Sequence, residues 1–241
     1  MMQTDVFLGL APRAPLPQSD RLRLAAAVAR ACAVDLATIT IEQRCERCGG
    51  PHGRPRVLTP PGTFVSLSRA GPIAVVAVSL VGPIGVDIET VSAVSRAGFD
   101  DVAFNDAERA TLASLPAANR DHARAIHWTA KEALLKLSGE GLTVDPRELT
   151  VGFDSGATGS GAGVGTEAGA DAGVGTGGGA ETRVGGGAGV GAGASVLLGW
   201  PGATLDLGQV YLANFDAGPG LVGTVAVLSS TAPTVKLRRE P

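Results

Sequence analysis

TFVSLSRAGPIAVVAVSLVGPIGVDIE, Thr63–Glu89, is the stretch from which the fold can be read. Thr63–Ser68 and Ile73–Leu80 are β-branched, largely apolar runs separated by Ala70–Gly71–Pro72, a tight turn. Ile84–Glu89 is a third strand, reached through Gly82–Pro83. Connections this short join antiparallel strands, because a parallel crossover needs a dozen residues or more. The same glycine and proline break the longest apolar run, so it falls short of the roughly 20 residues that span a bilayer.

Working outward, Asp20–Ala33 has helical character with Ser19 or Asp20 as cap. A second helix starts at Asn105, with Glu108 three residues on completing a capping box. A longer helix covers His122–Leu137 and stops at Ser138–Gly139. Further strands fall at Arg147–Asp154, Ala194–Trp200, Gly208–Asp216 and Leu221–Ser229. Mixed runs of strands and helices with hairpin-length turns predict an α+β fold with antiparallel sheet. The strand groups on either side of the central helices suggest two similar halves, residues 1–83 and 84–241.

Residues 156–193 stand apart, with 17 of the 35 glycines and three copies of AGVG. So much glycine is costly to order and offers little to bury, which predicts a disordered insertion without chemistry of its own. The chain has 241 residues and a net charge of −3, which gives no polyelectrolyte attraction to nucleic acid. The N-terminus has no signal-like apolar core, and three cysteines make no disulfide framework. A cytoplasmic protein, free of membrane, is expected.

The chemistry begins with Asp87 and Glu89. Strand side chains alternate faces, so both carboxylates point one way and Val86 and Ile88 the other. Two such carboxylates repel unless a cation lies between them; the alternative is a solvated strand end. On the long helix, Glu132 and Lys136 are one turn apart and neighbours on a face shared with Trp128. The alternative there is a surface ion pair worth roughly 0.3–0.5 kcal/mol, but the apolar Leu134, Leu135 and Leu137 press the helix onto a core. With Lys131, the two segments supply three carboxylates and two lysines. Hard oxygen ligands in that number suit Mg²⁺ shared with substrate phosphates, and the lysines suit phosphate oxygens. A transfer at a pyrophosphate or phosphoester is the chemistry expected.

The ordered set of motifs resembles the 4′-phosphopantetheinyl transferases of the surfactin-synthetase-activating type. It consists of HGRP (His52–Pro55), FVSLSRAG (Phe64–Gly71), IGVDIE (Ile84–Glu89) and, 38 residues after Glu89, HWTAKEALLKLSGEGL. The resemblance implies transfer of the phosphopantetheine arm of coenzyme A to a serine of an acyl or peptidyl carrier protein, with release of 3′,5′-ADP, in secondary metabolite biosynthesis. It implies a pseudo-twofold pair of α+β halves, working as a monomer, with coenzyme A at their junction. Asp87, Glu89 and Glu132 would hold Mg²⁺. Glu132 would act as general base, and Lys136 would contact the phosphates and assist the leaving group. Lys131, Arg54, Ser68 and Arg69 would help bind coenzyme A, with Arg54 and Arg69 standing where the family usually has lysine and histidine. Arg21 is a further candidate for the nucleotide end.

Cys45, Cys48 and His52 have zinc-ligand spacing, although a structural Zn²⁺ site needs a fourth ligand. The alternative is a reduced loop that positions Arg54. Two rival functions use the same features: a Mg²⁺-dependent nucleotide phosphohydrolase, and a non-catalytic, zinc-stapled binding module.

Overall fold

The computed structural model describes residues 5–14, 17–45, 48–50, 53–153, 182–183 and 195–240. Its elements, in chain order, are β1 (Asp5–Pro12), α1 (Pro17–Cys32), β2 (Thr40–Gln43), β3 (Pro55–Thr59), β4 (Phe64–Ala70), β5 (Ile73–Ser79) and β6 (Ile84–Thr90). Then come α2 (Val91–Ala97), α3 (Asp100–Ala103), α4 (Asp106–Ser114), α5 (Ala117–Ser138), β7 (Thr150–Phe153), β8 (Thr182–Arg183), β9 (Ser195–Gly199), β10 (Val210–Asp216), β11 (Leu221–Leu228) and β12 (Thr234–Arg239). Short 3₁₀ turns, such as Pro146–Glu148, link several of them.

The fold is α+β. One sheet has the order β4-β5-β1-β12-β8 and another β10-β11-β6, with two-stranded pairs β2-β3 and β7-β9 beside them. The pairing is antiparallel except between β1 and β12, which run parallel with Asp5 opposite Thr234. Helix α1 buries Leu24 and Val28 against Val65, Val76 and Val78 on one face of the larger sheet. The other face packs Val6, Leu8 and Leu10 against Val86 and Ile88 of β6. Helix α5 covers the outer face of β6 and β11.

The expected strands and helices are found with small shifts of their ends. The capping box forms, with Asn105 Oδ1 accepting from Glu108 N and Glu108 Oε2 accepting from Asn105 N. The Gly-rich segment leaves the β7–β9 hairpin, where Phe153 stands opposite Ser195. Most of the expected disordered insertion lies outside the described residues, but Thr182 and Arg183 pair with Leu237 and Lys236 of β12. No helix among the described residues is long and apolar enough to cross a membrane.

One close approach sets β6 against α5, and a glycine ends the helix. A Cβ on Gly85 would lie 1.9 Å from Ala133 O and 2.5 Å from Leu137 N, so only glycine lets the helix backbone rest directly on the strand. At the helix end, Gly139 adopts φ 84 and its N–H donates to Leu135 O, a left-handed stop that glycine takes without steric cost.

Candidate active site

The seam between β4 and β6 is where the two sheets separate. Ladder bonds give way to side chains there: Ser66 Oγ accepts from Val86 N at 3.0 Å, and Lys136 Nζ donates to Val86 O at 3.3 Å. Backbone groups that a continuous sheet would pair are thus satisfied from β4 and α5. Two residues along, Ser68 Oγ donates to Asp87 Oδ1 at 2.7 Å, and Lys136 Nζ reaches the same oxygen at 2.6 Å. Asp87 is 3 % exposed, while Lys136 is 30 % exposed and opens to solvent. The other carboxylate oxygen, Asp87 Oδ2, is buried without a hydrogen-bond partner among the described residues.

The electrostatics follow from this packing. Burial pushes the Asp87 carboxyl up, and Lys136 and Ser68 oppose the shift. Glu89 is raised to about 7, first by burial and then by Asp87; Lys136 lowers it and Glu132 raises it further. Glu132 is raised by burial, lowered by Lys136 and raised by Asp87. These three carboxyls feel one another across the β6–α5 contact, and a single ammonium serves them.

Among the described residues, no group of three or more His, Cys, Asp or Glu side chains is drawn together closely enough to hold a metal ion by itself. The local chemistry nevertheless fits a hard divalent cation that takes part of its shell from water and substrate. The cluster has an excess of carboxylates over cations, a buried orphan oxygen on Asp87, and a Glu89 carboxyl raised to about 7 by burial and by Asp87.

Arg54 stands at the other end of the cleft. It lines, with Lys136, Ser66, Leu135 and Gly139, a hollow of about 320 Å³. Its guanidinium lies against the helix stop, since a Cβ on Gly139 would meet Nη1 at 2.5 Å. Arg54 makes no hydrogen bond or ion pair among the described residues. Burial and the neighbouring Arg56 lower its pKa. Behind it Arg44 and Arg56 join Arg54 around a larger hollow of about 610 Å³ that also includes Cys45 and Cys48. Arg54 is thus shared by two hollows, one that reaches Lys136 and one lined by Arg44, Arg56 and the acidic Glu42.

The remaining candidates are placed differently from the expectation. Lys131 is fully buried; Nζ donates to Ala103 O, Glu108 Oε2 and Pro146 O, so its three N–H groups are used inside the core. It ties α3, α4 and the Pro146–Glu148 turn to α5, on the face away from Asp87. Ser68 spends its hydroxyl on Asp87 and is 8 % exposed. Arg69 Nε donates to the buried Asp20 at 2.6 Å, because a carboxylate at 3 % exposure requires a cation. Arg21 is exposed and donates to Gln43 Oε1 at 3.2 Å. Neither Arg21 nor Arg69 lines the Arg54–Lys136 cleft. For the zinc reading, His52 lies outside the described residues; Cys45 and Cys48 are on the β2–β3 connection, where Gly50 N donates to Cys48 Sγ at 3.4 Å.

Sequence reasoning missed Ser66, Arg44 and Arg56. Ser66 carried a signal, since it is two residues from Ser68 and therefore on the same face of β4.

Residues 83–175 match the family model of the 4′-phosphopantetheinyl transferase superfamily. The matched segment contains β6 and α5, and hence Asp87, Glu89, Glu132 and Lys136. No curated protein matches the chain.

Proposed function

We propose that this protein transfers the 4′-phosphopantetheine moiety of coenzyme A to a serine hydroxyl of an acyl or peptidyl carrier protein and releases 3′,5′-ADP. The observation that carries the reading is Lys136: one ammonium pairs with Asp87 beside the Glu89–Glu132 cluster and also lines the cleft that Arg54 closes. A substrate with phosphate at two separated positions matches a cleft lined by both Lys136 and Arg54. The family match over residues 83–175 supports the same reaction class.

The serine Oγ–H bond must break as Oγ bonds to the β-phosphorus of coenzyme A's pyrophosphate and the bond from that phosphorus to the bridging oxygen is lost. Glu132, raised by burial, accepts the serine proton; a carboxylate shifted toward neutrality is a stronger base than one in water. Lys136 faces the phosphate that leaves as part of 3′,5′-ADP and stabilises its growing charge. Asp87 through Oδ2, with Glu89 and Glu132, would hold Mg²⁺. When bound, Mg²⁺ supplies neutralisation of the pyrophosphate charge. Arg54, with Arg56 and Arg44 behind it, binds the nucleotide end, where planar guanidinium suits phosphate oxygens.

The test is a mass measurement on an apo carrier protein incubated with coenzyme A and Mg²⁺. Transfer adds about 340 Da, the order of size of the phosphopantetheine group. Loss of phosphate from coenzyme A with no gain in carrier mass would instead make the protein a phosphohydrolase.

A further inference from the structure

A third hollow, of about 210 Å³, lies between α1 and the strands β1 and β12. It is on the opposite side of the core from Asp87: Leu8 and Leu10 of β1 face Val86 and Ile88, whereas Phe7 and Gly9 face α1. Small residues create the space. Gly9 stands opposite Arg238 in the β1–β12 register, and Ala27 and Ala31 present only methyl groups from the helix.

The charges around this hollow do not balance. Arg30 pairs with Glu240, whose Oε1 lies 3.8 Å from where a Cβ on Gly9 would stand. Lys236 pairs with Asp5 at 2.8 Å and sits over the Phe7 ring, 5.3 Å from its centroid. Arg238 lines the hollow and makes no hydrogen bond or ion pair among the described residues. One guanidinium is left over among the described residues, half-buried and opposite Gly9, with Ala27 and Ala31 as the apolar wall on the helix side. Such a fork accepts an oxyanion in two parallel hydrogen bonds. The volume equals that of about seven waters in the liquid, enough for a short-chain or single-ring acid.

We propose that this hollow is a binding site for a small organic monocarboxylate, whose carboxylate pairs with Arg238 and whose apolar body lies on Ala27 and Ala31. The site is independent of the transferase reading, since none of its residues lines the Arg54–Lys136 cleft.

The experiment is calorimetric titration of the full chain with sodium benzoate, and with benzyl alcohol and inorganic phosphate at matched ionic strength. Benzoate binds saturably, and neither control does, because the alcohol lacks the charge and phosphate lacks the apolar body. Arg238→Gln weakens benzoate binding at least about tenfold, the loss of a charge-assisted pair. Ala31→Leu fills the hollow from the helix side and weakens binding without altering charge. Melting temperature measured on both variants without benzoate establishes that they are folded. Absence of saturable benzoate binding overturns the proposal. So does undiminished binding to a folded Arg238→Gln or Ala31→Leu variant, or equal affinity for phosphate.

Discussion

Ser68 of β4 and Lys136 of α5 converge on the same oxygen of Asp87, Oδ1, at 2.7 and 2.6 Å. The rotamer of a buried carboxylate is therefore fixed by a strand hydroxyl and a helix ammonium, and Oδ2 is the oxygen left to face a further cation. Ser68→Ala removes one of the two fixing bonds. Mg²⁺ affinity is expected to fall about 10- to 100-fold, the usual cost of losing a group that orients a metal ligand. Binding of coenzyme A in chelator is expected to be unchanged. Calorimetric titration of each ligand separately checks this; a loss of metal-free coenzyme A binding would make Ser68 a phosphate contact instead.

Glu132 and Asp87 are expected to fail in different ways. Asp87→Ala weakens Mg²⁺ binding, so high Mg²⁺ restores part of the rate. Glu132→Gln keeps shape but loses the basic oxygen, costing about 10²–10⁴-fold in turnover, and Mg²⁺ does not restore it. Single-turnover transfer to a carrier protein at saturating coenzyme A, across a Mg²⁺ series, separates the two. Full rescue of Glu132→Gln would reduce Glu132 to a ligand.

The raised Glu89 carboxyl makes a pH prediction with a definite sign. Its value in the folded chain, about 7, lies above the ordinary 4.5. Its contribution to stability is thus present at low pH and disappears as pH rises through 7. The melting temperature of the metal-free protein should decline between pH 5 and 8 for this reason, and Mg²⁺ should flatten the decline. Because the cation needs the ionised carboxylate, Mg²⁺ binding near pH 6.5 should release protons, and near pH 9 it should not. Titration in two buffers of different ionisation heat measures the release, and Glu89→Gln should diminish it.

Lys131→Met leaves Glu108 as a buried charge with its cation gone. A loss of about 3–5 kcal/mol in unfolding free energy is expected, measured by urea titration. Where the variant is still folded, its affinity for coenzyme A should match the parent. Lys136→Met should lose coenzyme A affinity as well as stability, because Asp87 then keeps only Ser68 as a partner.

Gly85→Ala places a methyl group against Ala133 O, 1.9 Å from the ideal Cβ position, so the helix must lift from the strand. Destabilisation above about 3 kcal/mol is expected, because the obstacle is backbone. Both Glu132 and Lys136 move with the helix, so Mg²⁺ and coenzyme A affinities should fall together. Urea unfolding and calorimetry on the same preparation check the two effects.

The central strands were legible because β-branched runs and Gly–Pro turns state their own limits, and the Asn105–Glu108 box and the Gly139 stop did the same for helices. Asp87, Glu89, Glu132 and Lys136 were legible as a set because strand and helix periods put each pair on one face, and β6 meets α5 in the fold. The two lysines were harder to separate. Lys131 lies three and four residues before Leu134 and Leu135 and so shares their buried face, a helical-wheel signal that proximity to Glu132 obscured. The Ser68 role depends on the β4–β6 seam, which no local pattern encodes. β12 was missed because TVKLRR is short and charged, and its partner lies at the far end of the sequence.

The parallel pairing of β1 with β12 also has a consequence for how the chain is made. Residues near position 5 wait for residues near 234 before the middle of their sheet can close. During translation β1 can pair with β5 on one edge, while its other edge presents unsatisfied amides to whatever strand is nearby. Contacts this distant in sequence form late and slow the overall rate. The nascent protein should therefore depend on a chaperone, or on a short ribosomal transit time, more than its modest size suggests.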